Sequence, residues 1–252
     1  TQVLSQRFPH APNLGDFRQA APELRTAVDI VTCGFPCGPV APIGRQRGTA
    51  DPRWLCPDIV EFLDALPHPP TTVVFENVPG LISNDNGATV RAFLGQVGEL
   101  GFALQWCVVQ AADAQAPHRR SRWVCVATHA EREQLQRRRA PGELERPPAS
   151  ERRARLAALL APALDSPSPH RRNHDFDFGK FEPAILRWEV ATGWPAPPPL
   201  LDGHLNVRFS SWMMGLPPGW AADVVQSKTD CLRLIGNAVV PHQALLALEL
   251  LT

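Results

Sequence analysis

The feature that most constrains this chain is an alternation in its first 130 residues: short β-rich runs are separated by apolar residues at helical spacing. Val28 to Cys33 is a β-rich run that ends at Gly34 and a loop of Pro and Gly. Ile59, Phe62, Leu63 and Leu66 then recur at i, i+3, i+4 and i+7, the stripe of one helix face. Pro57 suits the first turn of that helix. Thr71 to Phe75 is a second buried strand, stopped near Pro79 and Gly80. Val90, Phe93, Leu94, Val97 and Leu100 mark a second helix, closed by Gly101. Leu104 to Gln110 and Arg122 to Thr128 read as two more strands. This order predicts an α/β fold, a largely parallel sheet with helices on both faces. Apolar residues make up 44% of the chain, enough to bury such a sheet.

The alternation stops near Glu131. From there to Asn206 prolines cluster at 147–148, 167–169 and 195–199. The segment is expected to form a smaller, irregular inserted domain, with a short helix over 150–163 and with Trp188 and Trp194 as core anchors. A disordered linker is the alternative, on its proline load. Pro241 to Leu251 returns to a regular apolar helix, expected to dock on the first domain. The expected division is 1–130 for the α/β domain, 131–206 for the insert, and 207–252 for a return segment with the C-terminal helix. Net charge is zero, but 118–172 holds 13 arginines against 6 acidic residues. Charge separated in this way suggests one basic face for a polyanion. Six cysteines without a C-x-x-C pair argue against a disulfide scaffold or a zinc knuckle, and read as reduced thiols of a cytosolic protein. No apolar run approaches the ~18 to 20 residues of a membrane helix, and no signal segment opens the chain.

Four segments could carry chemistry. Gly34-Phe35-Pro36-Cys37-Gly38-Pro39 places a thiol directly after a strand, where ligands bind in open α/β sheets. A nucleophilic Cys needs a nearby cation or dipole. Phe75-Glu76-Asn77-Val78-Pro79 puts a carboxylate at the end of an apolar strand, where burial would equip it to share a proton. In Pro117-His118-Arg119-Arg120-Ser121-Arg122, Arg120 and Arg122 are two apart and would share one face of a strand. They could grip a phosphate, a carbonyl oxygen or a carboxylate. Gly236-Asn237-Ala238-Val239 is a turn before the last helix that can offer backbone N–H groups to a ligand. Singly, each also reads as a packing residue, a solvated end, a basic loop or an ordinary turn.

Together, in this order and spacing, the four segments resemble the DNA (cytosine-5) methyltransferase family. The Gly-Phe-Pro-Cys loop, with its Gly-Arg-Gln-Arg-Gly tail at 44–48, resembles the catalytic motif of that family. Leu205 to Leu216, with Arg208 and a Trp-Met-Met-Gly-Leu-Pro run, is similar to the segment that follows its target-recognition region. Arg7-Phe8-Pro9 and Leu14-Gly15-Asp16 resemble its adenine-contacting turn. The resemblance implies a Rossmann-like methyltransferase sheet carrying a target-recognition insert. It implies S-adenosylmethionine as cofactor and double-stranded DNA as partner. Cys37, Glu76, Arg120 and Arg122 would then be catalytic, on a cytosine flipped out of the stack. Asp16, Pro36, Asn237 and Val239 would line the cofactor pocket. Gly38, Arg45, Arg47, His118 and Arg119 would contact DNA. A monomer is the default, and a cognate restriction endonuclease, phage self-protection and a regulatory role all stay open.

The pattern also departs from the family. Gly38 stands where Gln is usual, Ala41 where Ser is usual, and His118 where Gln opens the motif. A Phe-x-Gly-x-Gly turn, which would cradle the methionine part of the cofactor, is absent from the 252 residues. With Thr1 in first place, the expectation is an N-terminally truncated enzyme. A decayed relative that keeps only DNA binding is the alternative, and a Cys hydrolase pairing Cys37 with His118 is a third reading.

Overall fold

The computed structural model describes residues 2–20, 28–38, 40, 51–131 and 176–252. The expected helix at 150–163, the residues Arg45 and Arg47, and most of the basic stretch lie outside the described residues. The described residues gather into two compact units. The first, the sheet unit, takes those within Leu14–Val109, Ser121–Ala149 and Ala247–Thr252. The second takes those within Thr1–Asn13, Gln110–Arg120 and Ser150–Leu246.

The sheet unit is built on β1 (Ile30–Gly34), β2 (Thr72–Asn77), β3 (Phe102–Gln110) and β4 (Ser121–His129), in the order β1-β2-β4-β3. β1 and β2 are parallel, with Cys33 opposite Phe75 and Gly34 opposite Glu76. β2 and β4 are antiparallel, with Glu76 opposite Val124 and Asn77 opposite Trp123. The sheet is therefore mixed, not largely parallel. β2 also runs two residues beyond the expected end, so Glu76 and Asn77 belong to the strand. Alternation explains the core: Val73 and Phe75 point to one side and are fully buried.

Helices flank this sheet. Helix α1 (Gln2–Arg7) belongs to the second unit, and α2 (Phe17–Ala20) is a single turn. Helix α3 (Cys56–Asp64) starts with Pro57 in its first turn and buries Ile59 and Leu63. After a one-turn α4 (Gly80–Ser83), helix α5 (Ala88–Glu99) buries Val90, Phe93 and Val97, as its 3.6-residue period requires. Gly101, at φ 90°, follows its end. Phe93 packs edge-on against Phe75, with ring centroids 5.1 Å apart, and lies 5.6 Å from Phe35. This aromatic contact ties helix, sheet and the loop before Cys37 into one core.

In the second unit, α6 (Glu182–Thr192) is a regular helix inside the stretch expected to be irregular. The helix was hidden because its buried face, Ile185, Trp188 and Glu189, includes a carboxylate and so breaks the apolar stripe. It ends at Gly193, whose φ of 75° is left-handed. Glu189 is fully buried, and its Oε1 accepts from the Ala196 N–H at 2.7 Å. Trp188 is fully buried, and its indole N–H donates to the Trp212 carbonyl at 2.9 Å. The Trp212 indole donates in turn to the Trp194 carbonyl at 3.1 Å. A two-residue hairpin, β5 (Leu200–Leu201) and β6 (His204–Leu205), precedes α7 (Val207–Met213). Helices α8 (Lys228–Asn237) and α9 (Pro241–Leu251) follow. The stretch 228–251 has the length and apolar composition of a membrane helix. It is nevertheless two helices, separated where Ala238 turns extended at ψ 156° ahead of Pro241.

Candidate active site

Because β1 and β2 are parallel, their following loops leave the sheet at the same end. That places the Cys37 loop beside Glu76. A Cβ built on Gly34 would lie only 3.7 Å from Glu76 Oε2, so the carboxylate packs against the glycine three residues before the thiol. Glu76 Oε1 lies 2.6 Å from Arg122 Nε, and both side chains are mostly buried. Arg122 Nη1 also donates to the Ser121 carbonyl at 2.8 Å, which fixes the guanidinium from its far side. A low-dielectric setting strengthens such a pair, and the arginine holds the carboxylate ready to meet a ligand.

Asn77 anchors the loop from below. Its side chain is buried; Nδ2 donates to the Phe35 carbonyl at 3.2 Å, and Oδ1 accepts from the Val78 N–H at 2.8 Å. The Cys37 carbonyl accepts from Val40 N–H at 3.0 Å, which curls the loop back on itself. Cys37 is half-buried. Cys33, four residues earlier, is a different thiol: burial pushes it up to about 11, so it stays protonated at neutral pH.

A further cation stands next to the loop. Buried Asp51 accepts from the Arg53 backbone N–H at 2.9 Å and from Nε and Nη2 at 2.9 and 2.7 Å. This ion pair holds Arg53 above its usual pKa, with Cys37 adding a smaller share. The Arg53 guanidinium lies over Gly38, where a Cβ would meet Nη1 at 2.9 Å. Gly38 thus leaves room for Arg53. The Asp-x-Arg spacing carries a readable signal, since Asp accepts from the N–H two residues on. Asp16 and Arg18 repeat it: the Arg18 N–H, Nε and Nη2 all donate to the Asp16 carboxylate, and those hydrogen bonds hold Asp16 below the usual carboxylate range.

The remaining residues fall in the second unit. His118 Nε2 lies 3.0 Å from the Met213 carbonyl, while Nδ1 accepts from the Arg120 N–H at 3.4 Å. That set fits a neutral ring with its proton on Nε2. Arg119 is exposed. Arg120 precedes β4, which opens at Ser121, so it shares no strand face with Arg122; it donates to the carbonyls of Gly236 and Ala238. Asn237 and Val239 flank Ala238 in that turn.

The sheet unit also contains a cavity of about 430 Å³. Phe17, Cys33 to Pro36, Phe62 and Phe75 line it. It carries no charged side chain, and its size and aromatic walls suit a flat ring such as adenine. Pro36 is in this wall and Asp16 adjoins it through Phe17. The residues present therefore fit the ring of a nucleoside cofactor; the charged end would need groups beyond this lining.

Residues 1–181 match the C-5 cytosine-specific DNA methylase family. The chain belongs to that family. Over 102 residues it is 36% identical to the Type II methyltransferase M.BsuFI of Bacillus subtilis, covering 40% of this chain and 24% of that protein. It is 26% identical over 259 residues to the Type II methyltransferase M.NgoMIV of Neisseria gonorrhoeae, covering 91% of this chain and 79% of that protein. The matched stretches span only 24% to 30% of M.BsuFI, M.MspI and M.DsaV. Among solved structures, the Dnmt2 methyltransferase of S. pombe superimposes with a TM-score of 0.58 at 14% identity, over 99% of this chain and 86% of that one. A DNMT2 mutant from Spodoptera frugiperda gives 0.52 at 17% identity, over 98% and 88%. At these identities the likeness concerns the fold.

Proposed function

We propose that this chain transfers a methyl group from S-adenosylmethionine to C5 of a cytosine flipped out of duplex DNA. The observation that carries this reading is the Glu76–Arg122 ion pair at the strand end where the Cys37 loop departs, in a chain of this family. The Cys37 thiolate adds to C6 of the base, forming the S–C6 bond and shifting the C5–C6 electron pair toward C5. Glu76, carrying a proton, donates to N3 through one oxygen and accepts from the exocyclic amine through the other, stabilising the charge that develops on the ring. Arg122 holds Glu76 and reaches the ring oxygen. The cofactor, when bound, supplies an electrophilic methyl group for C5. Loss of the C5 proton restores the double bond and releases Cys37.

In this reading Asp16, Pro36, Asn237 and Val239 are the residues that bind the cofactor. Gly38, Arg45, Arg47, His118 and Arg119 contact DNA, and the segment 131–206 reads its sequence between a catalytic 1–130 and a return segment 207–252. The protein acts as a monomer in the cytoplasm. The test is incubation with duplex DNA carrying 5-fluorocytosine and S-adenosylmethionine. A covalent adduct that needs the cofactor and disappears in Cys37→Ser upholds the mechanism. Salt-dependent duplex binding without an adduct would instead leave a DNA-binding chain without catalysis.

A further inference from the structure

Arg120 makes contacts that the cytosine chemistry above does not need. Its Nη1 donates to the Gly236 carbonyl at 2.8 Å and its Nη2 to the Ala238 carbonyl at 2.7 Å. The last carbonyls of a helix lack partners within it, and a cation at that end is favourable. Gly236 sits in the last turn of α8 and Ala238 is its extended cap, so the two arms of the guanidinium close around Asn237. The backbone of Arg120 is fixed as well. Its carbonyl accepts from the Ala111 N–H and from Gln243 Nε2, each at 2.8 Å. Gln243 is buried and lies on α9, the helix that follows the turn. All of these residues belong to the second unit. One residue thus holds the turn 236–240 on its α8 side with its side chain and on its α9 side with its main chain.

We infer that Arg120 is a positioning residue that sets the 236–240 turn, and with it Asn237 and Val239, for the cofactor, leaving the target base to Arg122. The cofactor part rests on the function proposed above; the hold on the turn does not. Two carbonyls need a planar fork, and a lysine ammonium is a point donor that cannot span both. Arg120→Lys should therefore keep the charge but lose one arm.

The test compares the chain with Arg120→Met, Arg120→Lys and Arg122→Lys in three measurements. These are hydrogen exchange of the amides at 237–240, calorimetric binding of S-adenosylhomocysteine, and the rate of the 5-fluorocytosine adduct at saturating S-adenosylmethionine. Losing charge-assisted hydrogen bonds should speed exchange and weaken S-adenosylhomocysteine about tenfold or more in Arg120→Met. The adduct rate at saturation should stay within about twofold of the parent, and Arg120→Lys should fall between. Arg122→Lys should show the reverse: a slow adduct with unchanged exchange at 237–240. If Arg120→Met loses helical signal as a whole, Arg120→Lys is the variant read. Unchanged exchange at 237–240, or an adduct rate that falls as far as in Arg122→Lys, overturns the assignment. If the parent chain neither binds S-adenosylhomocysteine nor forms the adduct, the proposed function fails, and exchange alone decides whether Arg120 holds the turn.

Discussion

Asn77 is where stability and catalytic geometry meet. Its side chain is buried and spans two backbone groups, the Phe35 carbonyl and the Val78 N–H. Asn77→Ala takes a partner from each. A buried backbone group left unpaired costs ~1–3 kcal/mol, so the pair amounts to ~3 kcal/mol once partial rescue by neighbouring solvent is allowed. With a urea slope of ~2 kcal/mol per molar, the midpoint should fall by about 1.5 M. The two compact units need not unfold together, so a whole-chain signal would blur the transition. Urea titration should be read by hydrogen exchange on peptides covering β1 and β2. Asn77→Asp keeps the acceptor for Val78 but turns a carboxylate toward the Phe35 carbonyl, and should cost at least as much. A midpoint shift below about 0.3 M in Asn77→Ala would refute the claim that these two hydrogen bonds hold the Cys37 loop.

Arg122→Gln leaves the Glu76 carboxylate without its cation. Because water reaches a small part of both side chains, the expected loss is ~1–3 kcal/mol, below that of a fully buried pair, measured by denaturant unfolding. Gly215→Ala forces a side chain at φ 69° and brings its Cβ within 2.9 Å of the buried Trp188 ring. It should destabilise the second unit by ~2 kcal/mol or more, as seen in thermal melts. Gly38→Gln sets its Cβ against the guanidinium that buried Asp51 holds, so Arg53 must give up part of that hold, at an expected ~0.5–1.5 kcal/mol in denaturant unfolding; no loss would mean that Asp51 does not fix the guanidinium. Burial raises Cys33 to about 11 and Cys125 to about 12, from an ordinary 9.0. The unfolded chain then releases protons that the fold retains, so this contribution is intact below pH 9 and is lost between pH 9 and 12, a fall that alkaline urea titrations should detect.

Legibility followed the physics of each element. The stripes were readable over 59–63 and 90–97, where each helix buries one apolar face, while Leu66 and Leu100 fall just past the helix ends. Cys37, Glu76 and Arg122 stood out through residue type at strand ends. The direction of β4 was not readable, since an antiparallel neighbour has the same apolar run as a parallel one. Helix α6 escaped because Glu189 occupies its buried face. The contacts of Arg120 and Asn77 join residues 116 and 42 positions apart, and no local pattern announces such a bond. The Asp51–Arg53 clamp was readable in principle from its spacing.

The buried Glu189 has a genetic consequence. Within Pro195-Ala196-Pro197-Pro198-Pro199, Ala196 alone has a backbone N–H, and Glu189 takes it. Every alanine codon becomes a proline codon by one base change. Ala196→Pro would look harmless in a run already made of prolines. It would nevertheless remove the only donor through which that run is tied to its helix, and leave a carboxylate buried without it. The most conservative-looking substitution in the segment is thus the one selection should tolerate least.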